Sequence, residues 1–400
     1  MELAHPTLLP TNQVRGAVAT PTVSFVIPCY KLGHLLAECI GSVISQTYAD
    51  WEVLVMDDCS PDNTPEVARS FRDPRVKHVR NEQNLGLVKN FNKGIGLSRG
   101  KYVWIISADD YLRRPYILER YVKLMEKYPR IGYAYCPVAK IENGQETEIQ
   151  RADGGDRIIR GHDFLKSLLK GNLILAPTAI VRRECYERMG VFPTAPVWAG
   201  EELDFSWAQD WYLWCLFAMA YDVGYLAEPM VCYRLHDLSF TSTLTQHESI
   251  RRCVAADIAV PWMIKQKADE FGLRKVSRYC LYGIAKAYGA HLASKQYRSS
   301  TSTMTLEEFE DSLCRSTKSD PERNWIRARA YEAMGDALFW RGDLAAVRAL
   351  YARALRSDWR ILEVWTKLLL LLLGPVGRYL RRLVIRFREK VMAPVVRVIG

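Results

Sequence analysis

Between residues 23 and 138 the chain alternates short apolar, β-branched runs with segments whose apolar residues recur at helical spacing. The runs are Val23–Pro28, Trp51–Met56, Tyr102–Ile106 and Ile131–Val138, and Arg75–Val79 reads as a short third strand among them. Between them, residues 34–46, 64–71, 87–97 and 117–125 read as helices. Strands that are apolar on both faces and alternate with helices make a mostly parallel sheet covered on both sides. Pro28 is expected to stop the first strand. Three strands end in polar or aromatic groups, at Pro28–Tyr30, at Asp57 and Asp58, and at Asp109 and Asp110. In open α/β sheets, ligands bind at this carboxyl edge.

Asp109 and Asp110 admit two readings. Adjacent carboxylates repel each other until a cation joins them, and Mg²⁺ or Mn²⁺ suits oxygen ligands shared with substrate phosphates. The other reading is a turn, with Pro115 in the first turn of the next helix and an Asp upstream as cap. No Gly-x-Gly-x-x-Gly follows the first strand, and no Gly-x-x-x-x-Gly-Lys-Ser/Thr occurs anywhere. Dinucleotide and Walker-type phosphate sites are therefore unsupported.

At 49% hydrophobic and 25% charged, most of the 400 residues should fold. Residues 377–400 hold seven basic side chains against Glu389, a net +6 of the chain's +10. The remainder is close to balance, which argues against nucleic acid as a partner. The ten cysteines include no Cys-x-x-Cys pair, so neither a disulfide framework nor a zinc site is expected. Met1–Pro21 lack an apolar core of signal-peptide length, and the apolar run Leu368–Leu373 is too short to span a bilayer. The expected location is the cytoplasm, with the protein lying peripherally on the inner face of the cytoplasmic membrane.

Six motifs in order carry a family resemblance. They are Val23–Tyr30, Val55–Asp62, Asn84–Gly86 with Asn92–Ile95, Ser107–Asp110, Gln209–Trp214 and Tyr233–His236. Together they resemble the family 2 glycosyltransferases of the GT-A fold, over roughly residues 21–243. The resemblance implies an inverting enzyme with a nucleotide-diphosphate sugar donor. It implies that Pro28 and Tyr30 line the base and ribose pocket. Asp58 would accept a hydrogen bond from the base, as an acceptor-only group. Asp110 would be the main metal ligand, with Asp109 on ribose or metal and His236 near the metal or diphosphate. Ser107 departs from the Asp that many members carry there. On the residues alone, Asp58 also fits a turn, Tyr30 a core aromatic, and Lys89 and Lys93 a solvated helix face.

Residues 143–157 read as a loop, 164–169 as a helix and 178–181 as a strand. Glycosyl transfer to an alcohol needs a general base. The resemblance assigns this role to Asp210, which opens an apolar helix and would gain basicity from burial against Trp207, Trp211 and Trp214. Asp210 also fits a helix cap. Glu201, Glu202 and Asp204 are nearby competitors. Residues 247–400 show almost no strand signal, and 334–355 look like a tetratricopeptide helix pair. In residues 374–400, Leu380, Leu383, Val384 and Phe387 share one helical face among arginines, the pattern of a helix on an anionic membrane surface.

The expected organisation is a lead-in at 1–20, a GT-A domain at 21–243, a helical region at 244–373 and a basic amphipathic segment at 374–400. The expected function is metal-dependent transfer of a sugar to a glycan or lipid-linked glycan in surface polysaccharide or glycolipid assembly. A nucleotidyltransferase would want a Gly-rich basic loop after the first strand, where the chain has Pro28–Gly33. A non-catalytic binding protein would not need Asp58, Asp109, Asp110 and Asp210 together.

Overall fold

The computed structural model describes residues 20–149, 154–194, 197–198, 201–202, 208–236, 246–293, 319–339, 342–377, 379–380 and 396–398. In chain order the first half runs β1 (Val23–Cys29), α1 (Gly33–Ile44), β2 (Trp51–Asp57), α2 (Thr64–Ser70), β3 (Val76–Arg80), α3 (Leu87–Leu97) and β4 (Tyr102–Ile105). It continues with β5 (Tyr111–Leu112), α4 (Ile117–Lys127), β6 (Ile131–Tyr135), β7 (Val138–Glu142), β8 (Gln145–Ile149), β9 (Arg157–Ile159) and α5 (Gly161–Leu168). Then come β10 (Ile180–Arg182), α6 (Arg183–Met189), β11 (Val197–Trp198), β12 (Glu201–Glu202), α7 (Gln209–Ala218), β13 (Asp222–Tyr225) and β14 (Val231–Leu235). The helices α8 (Gln246–Glu270), α9 (Arg274–Ala293), α10 (Asp320–Phe339), α11 (Leu344–Ser357) and α12 (Leu362–Leu372) follow, and β15 (Val396–Val398) is last.

Nine strands form the main sheet in the order β15-β9-β13-β6-β10-β4-β1-β2-β3. Strands β4, β1, β2 and β3 are mutually parallel, and β6 and β13 are parallel to each other; β10 and β9 run against their neighbours. Strand β1 is buried throughout, and its alternate residues feed two cores. Phe25 and Ile27 pack with Leu36 and Ile40 of α1 and Leu118 and Tyr121 of α4. Val26 faces the other side, whose core holds Ile95, Leu165, Leu213 and Trp214. The approach of α3 to β1 needs Gly94, because a Cβ there would lie 2.4 Å from Val26 Cγ1.

Four expectations change. Pro28 does not stop β1; it lies in register opposite Met56, with Cys29 opposite Asp57. The Pro28 carbonyl still accepts the Ala108 N–H beyond the last registered β1–β4 pair, Val26–Ile105, so the ring costs one donor on that side without ending the strand. The run Ile131–Val138 divides at Pro137, with β6 in the main sheet and β7 in a second sheet of order β5-β14-β7-β8. Residues 143–157 are not simply a loop, for they contain the polar, exposed strand β8 and the start of β9. The carboxy-terminal residues 396–398 pair as a strand with β9.

The helical region is not separate from the sheet. Val260 and Ile264 of α8 and Cys280 of α9 share the core that holds Trp211 and Leu213. The pair α10 and α11, where the tetratricopeptide-like motif falls, packs around Tyr351, Ala328 and Val347, and Gly335 makes room for the Tyr351 ring.

Candidate active site

At the amino edge of the sheet, Glu52 of β2 has donors on both oxygens: Ser24 Oγ and Arg99 N–H on Oε1, and the Arg99 guanidinium and Lys77 Nζ on Oε2. Burial alone would raise this carboxyl, but these donors outweigh it and hold it at about 2. At the carboxyl edge, Asp57 is likewise filled, by Ser60 N–H, His78 Nε2 and Arg80.

Asp58, 3% exposed, neither caps a helix nor simply turns. Its Oδ1 accepts from Asn81 Nδ2 (2.8 Å) and Leu85 N–H (2.8 Å), and its Oδ2 from Gly86 N–H (2.9 Å). It therefore ties the end of β2 to the loop that enters α3. Asn81 continues a polar chain to Asn90 and to Lys93 Nζ at 2.6 Å, so Lys93 turns toward this network while Lys89 has no such role. Tyr30 is 42% exposed at the end of β1, which rules out the core-aromatic reading. Its ring lies under Lys31 Nζ.

Asp109 and Asp110 sit between β4 and β5. Asp110 is 2% exposed, and its Oδ1 accepts the Arg234 backbone N–H at 3.0 Å. Burial, then the charge of Asp109, pushes its carboxyl well up. Asp109 Oδ2 meets His236 Nε2 at 2.9 Å. The Arg234 guanidinium donates to the Asp109 carbonyl and to Glu38 of α1. Strand β14 delivers Arg234 and His236 here because it pairs with β5, directly after the two acids. Arg234 and Glu38 were not singled out from the sequence; only the Tyr-Arg-x-His motif marks the former.

Asp210 lies in the first turn of α7, partly buried. Its Oδ1 accepts from Trp211 N–H (2.7 Å) and its Oδ2 from Asn172 Nδ2 (3.1 Å). Burial pushes its carboxyl up to about 6, against the opposing pull of Asn172. Asn172 was also missed, since it lies in a loop without periodicity. That loop runs on to the turn Ala176–Thr178, which lies against β4 and β14, and so links Asp210 to the strands carrying the other acids. Of the competitors, Glu201 and Glu202 lie on β12 and Asp204 lies outside the described residues, as does Trp207, one of the aromatics expected against Asp210.

Among the buried side-chain oxygens of the described residues, Asp109 Oδ1 and Gln209 Oε1 lack a hydrogen-bond partner, as do several buried nitrogens, Trp51 Nε1 and Trp214 Nε1 among them. Each of the two oxygens belongs to a motif singled out from the sequence. No three His, Cys, Asp or Glu side chains converge on one point among the described residues. Asp109, Asp110 and His236 are brought together, but His236 is spent on Asp109. The acids fit a cation only as a partial ligand set, with Asp109 Oδ1 as its open oxygen.

The open α/β sheet with its acids at the carboxyl edge is a GT-A fold. S. aureus TarS 1–349 in complex with UDP-GlcNAc superimposes with a TM-score of 0.53 at 17% identity, over 84% of this chain and 89% of that one. Residues 24–190 match Glycosyl transferase family 2. An uncharacterized glycosyltransferase of Haemophilus influenzae is 29% identical over 57% of this chain and 69% of its own length. The UDP-Glc:alpha-D-GlcNAc-diphosphoundecaprenol beta-1,3-glucosyltransferase WfgD of Escherichia coli is 38% identical over 22% of this chain and 35% of its own length. The chain thus carries a family 2 glycosyltransferase domain and is a glycosyltransferase.

Proposed function

We propose that the chain moves a sugar, with inversion, from a nucleotide-diphosphate sugar to an acceptor hydroxyl, and that it uses Mn²⁺ or Mg²⁺. The two orphaned buried oxygens carry this reading. A buried acceptor without a donor costs free energy, and a fold tolerates it where a ligand supplies the partner. Asp110 and Asp109 would hold the cation together with phosphate oxygens of the donor. His236 would orient Asp109, and could become a ligand only by giving up its present bond. When bound, the cation would stabilise charge on the departing diphosphate. Tyr30 and Pro28 would line the nucleoside pocket. Asp58, fixed by three donors, keeps lone-pair capacity on Oδ2 for a base N–H. Asp210 would take the acceptor's proton, and a carboxyl near 6 suits a base that is still charged at neutral pH.

The acceptor we assign is a glycan or lipid-linked glycan of surface polysaccharide or glycolipid assembly, met at the inner face of the cytoplasmic membrane by a peripheral protein. Its support is the diphosphoundecaprenol-linked sugar named for the E. coli relative. Residues 21–243 would carry the chemistry, 244–373 the helical region, and 374–400 the contact with lipid. A panel of nucleotide sugars assayed with and without Mn²⁺ tests the reaction. Metal-dependent release of nucleoside diphosphate is expected. Pyrophosphate released instead from a nucleoside triphosphate and a sugar 1-phosphate, supplied in a parallel assay, would point to a nucleotidyltransferase, and no turnover of any donor to a non-catalytic binder.

The Asn172 contact makes a further expectation. Asn172→Ala should lower turnover and move the acid limb of kcat/KM to higher pH. The base works only when charged, and Asn172 is the donor that favours the charged form against burial. A fall in rate with an unmoved limb would leave Asn172 a merely structural role.

A further inference from the structure

We propose that the outer face of α12, with the short segment after it, is a docking surface for an anionic lipid bilayer; this deepens the peripheral-membrane part of the reading above. The sequence placed lipid contact on residues 374–400. Of its apolar face, Leu383, Val384 and Phe387 lie outside the described residues. The described apolar surface begins one helix earlier.

Helix α12 is arranged against the usual rule for a soluble helix. Its charged residues turn inward. Lys367 Nζ lies 2.6 Å from Glu332 and 2.7 Å from Asp336, and Glu363 meets Arg329 at 3.0 Å. Only Val364 and Leu371 are fully buried on that inner side. The outer side is apolar: Leu362 is 77% exposed and Leu372 66%, with Leu369 and Trp365 between them. Trp359 (72%) extends the stripe at one end and Val376 at the other. Monomeric proteins rarely leave such contiguous apolar surface open, and where they do it marks an interaction site.

Three observations favour a bilayer over a partner helix. The spacing 362, 365, 369, 372, 376 alternates three and four, as a coiled-coil seam does. That seam is broken, however, because Gly374 sits at φ +60° and Gly377 folds against the end of α12, where a Cβ would clash with the Leu370 carbonyl. A straight partner helix could follow only the first half, whereas a bilayer surface accepts both. Secondly, the exposed aromatics are amphipathic. The Trp365 indole donates to the Trp359 carbonyl, and Tyr379 is exposed beyond the break. Such rings favour the lipid–water boundary. Thirdly, charge complements anionic lipid. Arg353 and Arg356 are exposed on the preceding helix, and the chain runs on into the segment of net +6. No described helix is long and apolar enough to cross a membrane, so contact would be interfacial.

The test is co-sedimentation of the full chain with phosphatidylcholine vesicles, alone or mixed with phosphatidylglycerol. Two variants are compared: Leu362→Ser with Leu369→Ser and Leu372→Ser, and Arg378→Gln with Arg381→Gln, Arg382→Gln and Arg386→Gln. The leucines are exposed, so the first variant should keep its far-ultraviolet dichroism. The intact chain should bind the mixed vesicles far better than phosphatidylcholine alone. The leucine variant should lose roughly tenfold or more in partitioning, a loss that salt does not change. The arginine variant should lose the salt-sensitive share, roughly fivefold per residue. Unchanged partitioning of the leucine variant, or equal binding to both vesicles, overturns the proposal. So does a dimer in sedimentation velocity that the leucine changes dissociate without affecting vesicle binding. Turnover on a soluble acceptor, measured without vesicles, should be the same for all three chains, which separates this surface from the transfer reaction.

Discussion

Asp110→Asn is expected to abolish metal-dependent donor binding while the fold survives. The side chain is buried and isosteric with Asn, and an amide oxygen can still accept the Arg234 backbone N–H. What is lost is the charge that a hard cation requires. Charge stabilisation by a bound cation is worth several kcal/mol, so kcat/KM should fall by about 10³-fold or more. Calorimetric titration of nucleoside diphosphate with and without Mn²⁺ checks the binding step. Undiminished Mn²⁺-dependent affinity in the variant would remove Asp110 from the ligand set.

Asp210→Asn is expected to separate binding from chemistry. Donor and metal affinity should stay near the parent values while turnover falls on the order of 10²–10⁴-fold, the usual share of a positioned base. The parent enzyme should lose kcat/KM as pH drops through about 6, because protonation removes the base. The variant should lack that limb. If Asp210→Asn turns over normally and Glu202→Gln does not, the base lies on β12 instead.

How much of this could be read beforehand depends on periodicity. The strands β1 and β2 and the helix α3 announce themselves because burial on both faces leaves largely apolar runs, and one-sided burial leaves a 3.6-residue rhythm. Strand β8 carries no such mark, for Gln145–Thr147 is polar and exposed. Strands β5 and β9 are two and three residues long, too short for a pattern. At the site, acids at strand ends were legible, as Asp58, Asp109 and Asp110. Their partners were not, because Asn81, Asn172 and Glu38 are placed by tertiary contacts that no local spacing encodes. Pro28 is the inverse case: a correct local rule lost to its surroundings, since pairing with β2 carries β1 past it to Cys29 opposite Asp57.

The pairing of β5 with β14 bears on the order in which the protein is assembled. Arg234 reaches Asp110 across 124 residues of sequence, and the acid pair has no other route to its backbone donor. The parallel pairs β1–β2 and β2–β3 need only short crossover closures, which form early at small entropic cost. Bringing β14 onto β5 and β7 closes a much longer loop, and distant pairings of this kind slow folding. A chain emerging from the ribosome can thus build the sheet core and still hold two unmatched carboxylates at its edge. Maturation of the site is therefore expected to be a late step, waiting on the arrival of residues 231–236.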